Sequence, residues 1–434
     1  MNYKIIGGKT LGGTVETNIS KNAAVALLAA SLLNRGETVL RRMPHIEEVK
    51  RLIEVMESIG VKIVWDKTGD MRITPPATFD LSRINRASAE RTRSIALFIA
   101  PLAHALGTFD LPAPTGCDLG KRSLGAHIDA LAKLGINISG NAEAHTYQVE
   151  SNGKHPAEII MYEASDTGVE NVLMAAAKIP GTTIIKFASA NYMVQDLCVF
   201  LERCGVRIEG VGTSTLIVHG VQDIDMQVEG HPSEDPIESM FFISLAATTG
   251  SELTIRRCPF DFIELELYTL SQMGLRYERG EQYLSENGHT ALRDVVIGPS
   301  TLIAAPEKIA PRPYPGINID NLPYFVPVAT QATGTTLIHD WVYDGRAVHY
   351  LQMQKLGATM RQLDPHRVEI VGPTKLHAAE ITCPPALRPA TLLLIGMLAA
   401  EGESELADVY PINRGYENLH ERLRAIGADV EALD

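Results

Sequence analysis

The chain has 434 residues, 45% hydrophobic and 21% charged, with a formal net charge of −13. That length can bury more than one sizeable core and points to two or three domains. An acidic balance with no run of Lys or Arg excludes a nucleic-acid surface, which needs clustered positive charge, but leaves room for small anions held by a few placed arginines.

Read from the N-terminus, Lys21-Asn22 open an apolar helix, AAVALLAASLLNRG, that ends at Gly36 and runs into a β-rich stretch. VKRLIEVMESIGVKIVW follows, an amphipathic helix that ends at Gly60 and enters a strand. The pair then recurs. Arg93 opens the apolar helix ending at Gly107, and HIDALAKLGINIS ends its helix at Gly135. Ser165-Asp166 precede GVENVLMAAAKIPG with Gly181, and VQDLCVFLERCGVRIEG contains Gly205. After an acidic, proline-bearing segment at 231–236, Asp235 opens the helix ending at Gly250, and ELYTLSQMGLRYER carries Gly274. Asp320 precedes FVPVATQATGTTLIHD with Gly334, and HYLQMQKLGATMRQL carries Gly357. Arg388 opens the last apolar helix, with Gly402 beyond it, and ENLHERLRAIGADVEAL closes the series at Gly427.

The amphipathic-series glycines lie 69 to 83 residues apart, and each follows its apolar-series partner by 23 to 28 residues. Glycine after a helix supplies a left-handed C-cap, and a β-branched run after it reads as a strand. Two helices and several short strands per unit give a βαβαββ-like pattern repeated six times. The predicted fold class is α/β, a two-lobed inside-out α/β barrel of six such repeats. Residues 21–231 form one lobe, and 1–20 plus 232–434 form the other. A cleft is expected between them.

The repeats bring unusual side chains to equivalent turns: Lys21, Asn22, Arg93, Ser165, Asp320 and Arg388 at the first helix, and Cys117, Arg122, Arg346 and Arg414 before the second. Helix N-termini present unpaired N–H groups and favour anions, and added cations strengthen that preference. A single such arginine is most often solvated; recurrence at matched turns argues for an anion site. Cys117 lies in LPAPTGCDLGKRS beside Lys121 and Arg122, where positive charge favours the thiolate. Cys198, Cys204, Cys258 and Cys383 sit in or beside apolar runs and read as packing residues. Asp320 reads equally as a helix N-cap or as a general base. Five widely spaced cysteines without a CxxC pair fit reduced thiols rather than disulfides or a zinc site. The first residues lack a signal peptide's apolar core, and the most apolar stretch, 391–400, is too short to span a bilayer. A cytoplasmic location is expected.

SKNAAVALLAASLL, RSIALFIAPLAHALG, GCDLGKR, GVENVLMAAA, GRAVHYLQMQKLGA, LRPATLLLIGMLAAEG and NRGYENLHERLRAIGA together resemble the enolpyruvyl transferases along essentially the whole chain. The branch acting on UDP-N-acetylglucosamine at the start of peptidoglycan synthesis is matched better than the branch acting on shikimate 3-phosphate, which lacks the loop cysteine. The resemblance implies phosphoenolpyruvate and a nucleotide-sugar acceptor as partners, no nucleic acid, no membrane, and neither metal nor organic cofactor. By position it implies that Lys21, Arg122 and Arg414 hold the phosphate and that Arg346 and Arg388 hold the carboxylate. Arg93 would be a further cation of that pocket. Asn22 would orient substrate, and Ser165 would bind at the diphosphate turn. Cys117 would be the lid-loop thiol that protonates C3 or adds to phosphoenolpyruvate, and that fosfomycin alkylates. Asp320 would be the base taking the acceptor's hydroxyl proton.

Departures from the family pattern cluster on the acceptor side. Ala386-Leu387-Arg388 replaces Asp-Leu-Arg, and Ser123, Gly125 and Ala126 stand in the segment resembling a uracil cradle. Asn191-Tyr192-Met193 replaces Glu-Pro-Glu, and Glu163-Ala164-Ser165 lacks an expected lysine. Three acceptor readings remain open: UDP-N-acetylglucosamine, another nucleotide such as UMP, or none, in a silent nucleotide-binding paralogue.

Overall fold

The computed structural model describes residues 1–114 and 124–433. These divide into two compact units, one built from 1–18 and 234–433, the other from 19–114 and 124–233. Each is α/β and carries three separate sheets; among the described residues no ladder closes a sheet into a barrel.

In the first unit, Asn2–Gly7 is a central strand, antiparallel both to Gly402–Ala407 and to Asp429–Leu433, with Glu380–Thr382 parallel on the far edge. A second sheet runs Arg276–Arg279, Ala291–Gly298, Glu252–Cys258, Gly12–Glu16, the last pair parallel. The third sheet orders Gly334–His339, Arg367–Gly372 and Thr359–Asp364. Three helices, Pro236–Thr249, Phe325–Gln331 and Leu387–Ala399, pack on one another in the middle. They are apolar on nearly all faces and almost wholly buried, as helices without a polar stripe must be.

The second unit repeats the plan. Its sheets run Arg207–Glu209, Thr215–Gly220, Gly181–Lys186, Glu158–Ile160; then Val228–Gly230, Thr38–Leu40, Met71–Thr74, Lys62–Trp65; then Thr108–Pro112, Thr146–Ser151, Ile136–Asn141. Lys21–Ala30, Ile99–Ala105 and Asp166–Ala177 are its buried helices. Glu47–Ser58 keeps a charged face outward, whereas Tyr192–Arg203 is buried along most of its length and exposes only Glu202 and Arg203 at its end.

All six amphipathic-series glycines, Gly60 to Gly427, adopt positive φ, the conformation that ends a helix and that Cβ disfavours. A second glycine role emerges only in three dimensions. Gly181, Gly334 and Gly402 pair across their ladders with Gly220, Gly372 and Gly7. A Cβ on Gly220 would lie 2.1 Å from the Ile179 carbonyl oxygen, and one on Gly7 would lie 2.1 Å from that of Met397. The strand ends thus tuck against the terminal carbonyls of the buried helices, where no side chain fits. Among the described residues no helix is long and apolar enough to cross a membrane.

Candidate active site

In the first unit the site is built around Asp320, just ahead of the 3₁₀ turn Leu322–Tyr324 and the helix Phe325–Gln331. Its backbone N–H donates to Asn318 Oδ1 at 2.9 Å, which fixes the turn. Its carboxylate keeps 25% of its side-chain surface exposed and lies between two buried guanidiniums, 3.9 Å from Arg346 Nη1 and 3.7 Å from Arg388 Nε.

Arg346 opens the short helix Arg346–Tyr350 after Gly345, whose φ of 76° suits glycine. The guanidinium is clamped. Nε and Nη2 donate to the two oxygens of Asp340 at 2.6 and 2.9 Å, Nη2 also reaches the Ile319 carbonyl at 2.9 Å, and the Tyr343 ring lies 4.2 Å away. The buried Asp340 also accepts from the Tyr350 hydroxyl at 2.6 Å. Burial opposes the Arg346 charge, but Tyr350, Asp340 and Asp320 outweigh it and hold its pKa above the ordinary value. A bidentate, hydrogen-bonded pair is the geometry that makes a buried ion pair tolerable.

Arg388, in the first turn of Leu387–Ala399, is 5% exposed and donates from Nη1 to the Tyr416 hydroxyl at 2.9 Å. Its Nη2 is buried and has no hydrogen-bond partner among the described residues. Asp235, the N-cap of Pro236–Thr249, is pushed up to about 6, chiefly by burial, with Arg388 pulling down and Glu238 pushing up. Arg414 follows the turn Tyr410–Asn413 and is half-buried.

In the second unit, Lys21 and Asn22 form the first turn of Lys21–Ala30 and are half-buried. Ser20 caps that helix, accepting the Asn22 and Ala23 N–H groups at 3.1 and 3.3 Å. Arg93 is half-buried at the start of the 3₁₀ segment Arg93–Phe98, beside Thr92 and Ser94, whose hydroxyls bind the buried Glu48 carboxylate. Ser165 caps Asp166–Ala177 by accepting the Gly168 N–H at 3.1 Å. Asp166 accepts from Ser189 and Asn191 at 2.5 and 3.2 Å, tying the loops before two helices together. Cys117 and Arg122, with Ser123 of the altered segment, lie outside the described residues.

Several side chains at these sites carried no mark in the sequence. Asp340, itself bound by Tyr350, holds Arg346, and Tyr416, in contact with Tyr324, accepts from Arg388. His127 sits in the second unit with Nδ1 2.9 Å from Asn171 Nδ2 and Nε2 3.2 Å from Thr167 Oγ1. The amide nitrogen only donates, so Nδ1 accepts and Nε2 carries the hydrogen. Burial first, then the Arg93 charge, lowers His127 to about 4. His127, by contrast, ends the segment 122–127 that resembles a uracil cradle, and that resemblance was its signal in the sequence. Among the described residues, no group of three or more His, Cys, Asp or Glu is arranged to hold a metal ion.

The arrangement in the first unit can hold an anion and accept a proton. Two guanidiniums supply fixed charge, and a partly exposed carboxylate between them is within reach of a hydroxyl. The sequence pattern of EPSP synthase (3-phosphoshikimate 1-carboxyvinyltransferase) matches residues 5–423. Proteins named UDP-N-acetylglucosamine 1-carboxyvinyltransferase are similar over the full length. The one from Porphyromonas gingivalis is 32% identical, with 99% of each chain covered. That from Thermobifida fusca is 31% identical, covering 99% of this chain and 97% of its own. Among solved structures, the enolpyruvyl transferase NikO from Streptomyces tendae superposes with a TM-score of 0.86 at 21% identity, over 99% of this chain and 98% of that one. EPSP synthase from Acinetobacter baumannii gives 0.71 at 17% identity, over 99% of both chains. A family pattern spanning nearly every residue, full-length relatives above 30% identity and a shared two-domain α/β fold lead to one conclusion: the chain belongs to the EPSP synthase family, the enolpyruvyl (1-carboxyvinyl) transferases.

Proposed function

We propose that the protein transfers the enolpyruvyl group of phosphoenolpyruvate to a hydroxyl of UDP-N-acetylglucosamine with release of phosphate, the first committed step of peptidoglycan synthesis, on a scaffold of six βαβαββ units. The observation that carries this reading is Asp320 set between the buried Arg346 and Arg388. Relatives bearing that activity in their names, aligned from end to end, support the acceptor.

In this reading the acceptor hydroxyl attacks C2 of phosphoenolpyruvate while Asp320 takes its proton. C3 receives a proton from Cys117, which gives a tetrahedral phosphate-bearing intermediate. The C2–O bond to phosphate then breaks, the Cys117 thiolate takes a proton back from C3 as the double bond re-forms on the transferred group, and the proton on Asp320 leaves with the phosphate. Lys21, Arg122 and Arg414 hold the departing phosphate, Arg346 and Arg388 the carboxylate, and Arg93 adds charge nearby. Asn22 and Ser165 orient the acceptor. Fixed charge of this kind stabilises the developing anion without reorganising at the moment of reaction.

One observation favours a second acceptor. At the start of Asp166–Ala177, where the family resemblance expects a lysine, the chain has an exposed Glu163 and the Asp166 carboxylate held by Ser189 and Asn191. A diphosphate would meet negative charge there, which favours an acceptor such as UMP. Phosphate release from phosphoenolpyruvate with UDP-N-acetylglucosamine, UMP and shikimate 3-phosphate in turn decides the matter. Turnover with the nucleotide sugar is the expected result. Turnover with UMP alone establishes the second reading, and turnover with none leaves a silent paralogue.

A further inference from the structure

A guanidinium has donors and no acceptor, and that fact gives direction to a buried chain of hydrogen bonds. Arg388 Nη1 donates to the Tyr416 hydroxyl at 2.9 Å, so the Tyr416 proton is left for its other partner, the Tyr324 hydroxyl at 2.5 Å. Tyr324 then gives its own proton to Thr391 Oγ1 at 2.9 Å. Thr391 donates to the Leu387 and Arg388 carbonyls, both at 3.1 Å. The donors run from the Arg388 side chain through three hydroxyls and return to the backbone of the same residue.

We propose that Tyr416, Tyr324 and Thr391 form a hydroxyl ring that positions Arg388, turning its Nη2 toward the carboxylate of bound phosphoenolpyruvate. Each tyrosine hydroxyl accepts one bond and donates one, and Thr391 accepts one and shares its proton between two carbonyls, so turning any of the three away breaks the chain. Chains of this kind polarise along their length and stiffen what they hold. The three residues are at most 1% exposed, and the Phe241 ring walls the tyrosines at 6.0 and 5.5 Å. Burial raises the pKa of both tyrosines, so their protons stay in place. At the helix start Ala386 supplies no side-chain cap, and the ring takes over the anchoring of the arginine. The buried, unpartnered Nη2 is the part the ring leaves for a ligand, since a desolvated charged donor is costly until something accepts from it. The inference rests on the functional reading above, because it takes the carboxylate to be that of phosphoenolpyruvate.

The test is calorimetric binding of phosphoenolpyruvate without acceptor, paired with phosphate release in the presence of UDP-N-acetylglucosamine. Tyr416→Phe should weaken phosphoenolpyruvate binding about tenfold and raise its KM to match, with the acceptor KM unmoved. Tyr324→Phe and Thr391→Val should each weaken it about three- to tenfold, and Thr391→Ser should restore the wild-type constant. A merely structural role would lower the melting temperature and move both KM values together, without rescue by serine. Folded Tyr416→Phe and Thr391→Val proteins that bind phosphoenolpyruvate within about twofold of wild type overturn the ring. If Tyr416→Phe does not fold, the Val and Ser variants at Thr391 decide alone. A wild-type protein that binds no phosphoenolpyruvate overturns the functional reading, and the role of the ring with it.

Discussion

At His127, burial and the neighbouring Arg93 both oppose the imidazolium, and the ring's midpoint falls from 6.5 to about 4. Because the folded value is the lower one, the unfolded chain takes the proton first as pH drops. The contribution of the neutral ring is fully present above 6.5 and is lost as pH falls toward about 4, a loss on the order of 3 kcal/mol. Proton NMR of the ring should show that low midpoint and a hydrogen on Nε2, and His127→Gln should flatten the stability loss across the same window. Equal pH slopes in the two proteins would rule out this cause. Asp320 gives the second residue-scale prediction. Asp320→Asn removes the proton acceptor and keeps the shape, so kcat should fall by roughly 10²–10⁴. Phosphoenolpyruvate should still bind, with Arg346 and Arg388 relieved of a counter-charge; stopped-flow phosphate release at wild-type rates would dismiss Asp320 as the base. Asp320 was visible in the sequence because prolines and a glycine isolate it before an apolar helix. The side chains that hold its neighbours were not visible. Tyr324 and Tyr416 meet across 92 residues, and nothing local to either marks it as a partner of Arg388.

Among the elements, the clearest sequence signal was the glycine that ends each amphipathic helix, because a positive φ is a local demand and leaves a local trace. The glycines on the opposite strands leave none. Gly220 is needed because the Ile179 and Ala176 carbonyl oxygens stand 2.1 and 2.3 Å from where its Cβ would be, and those atoms belong to a helix end more than thirty residues earlier. Gly220→Ala should therefore destabilise by roughly 2–4 kcal/mol, through a backbone that cannot give way. Gly107 has open space around it and a negative φ, so Gly107→Ala should stay within about 0.5 kcal/mol of wild type. Urea denaturation of the two variants compares them directly; equal midpoints would mean that strand ends and helix ends are not in contact as described. Sheet membership was the other thing hidden from the sequence. The strand after each glycine could be read off, but which edge strand joins it in parallel depends on contacts far along the chain.

On the scale of the whole molecule, reactivity follows burial. Cys198, Cys204, Cys258 and Cys383 are all buried, and loss of solvation raises every one of these thiols, Cys204, Cys258 and Cys383 to about 12. The folded protein should accordingly resist a thiol reagent at these four; labelling is expected at Cys117, which the sequence sets beside Lys121 and Arg122, and at all five positions once denatured. Peptide mapping that finds fast labelling at Cys258 would contradict this. The central strand of the first unit carries a different consequence, one of timing. Asn2–Gly7 is synthesised long before its two neighbours, Gly402–Ala407 and Asp429–Leu433, which lie about four hundred residues further along the chain. Residues 19–233 hold all the described strands of the other unit, so those strands have their partners while the first strand still waits. Closing a loop of some four hundred residues is slow, and an unpaired strand invites wrong partners while it lasts. Pulse-labelling hydrogen exchange during refolding should find the amides of Thr215–Gly220 protected before those of Asn2–Gly7. Simultaneous protection would mean the two units fold as one.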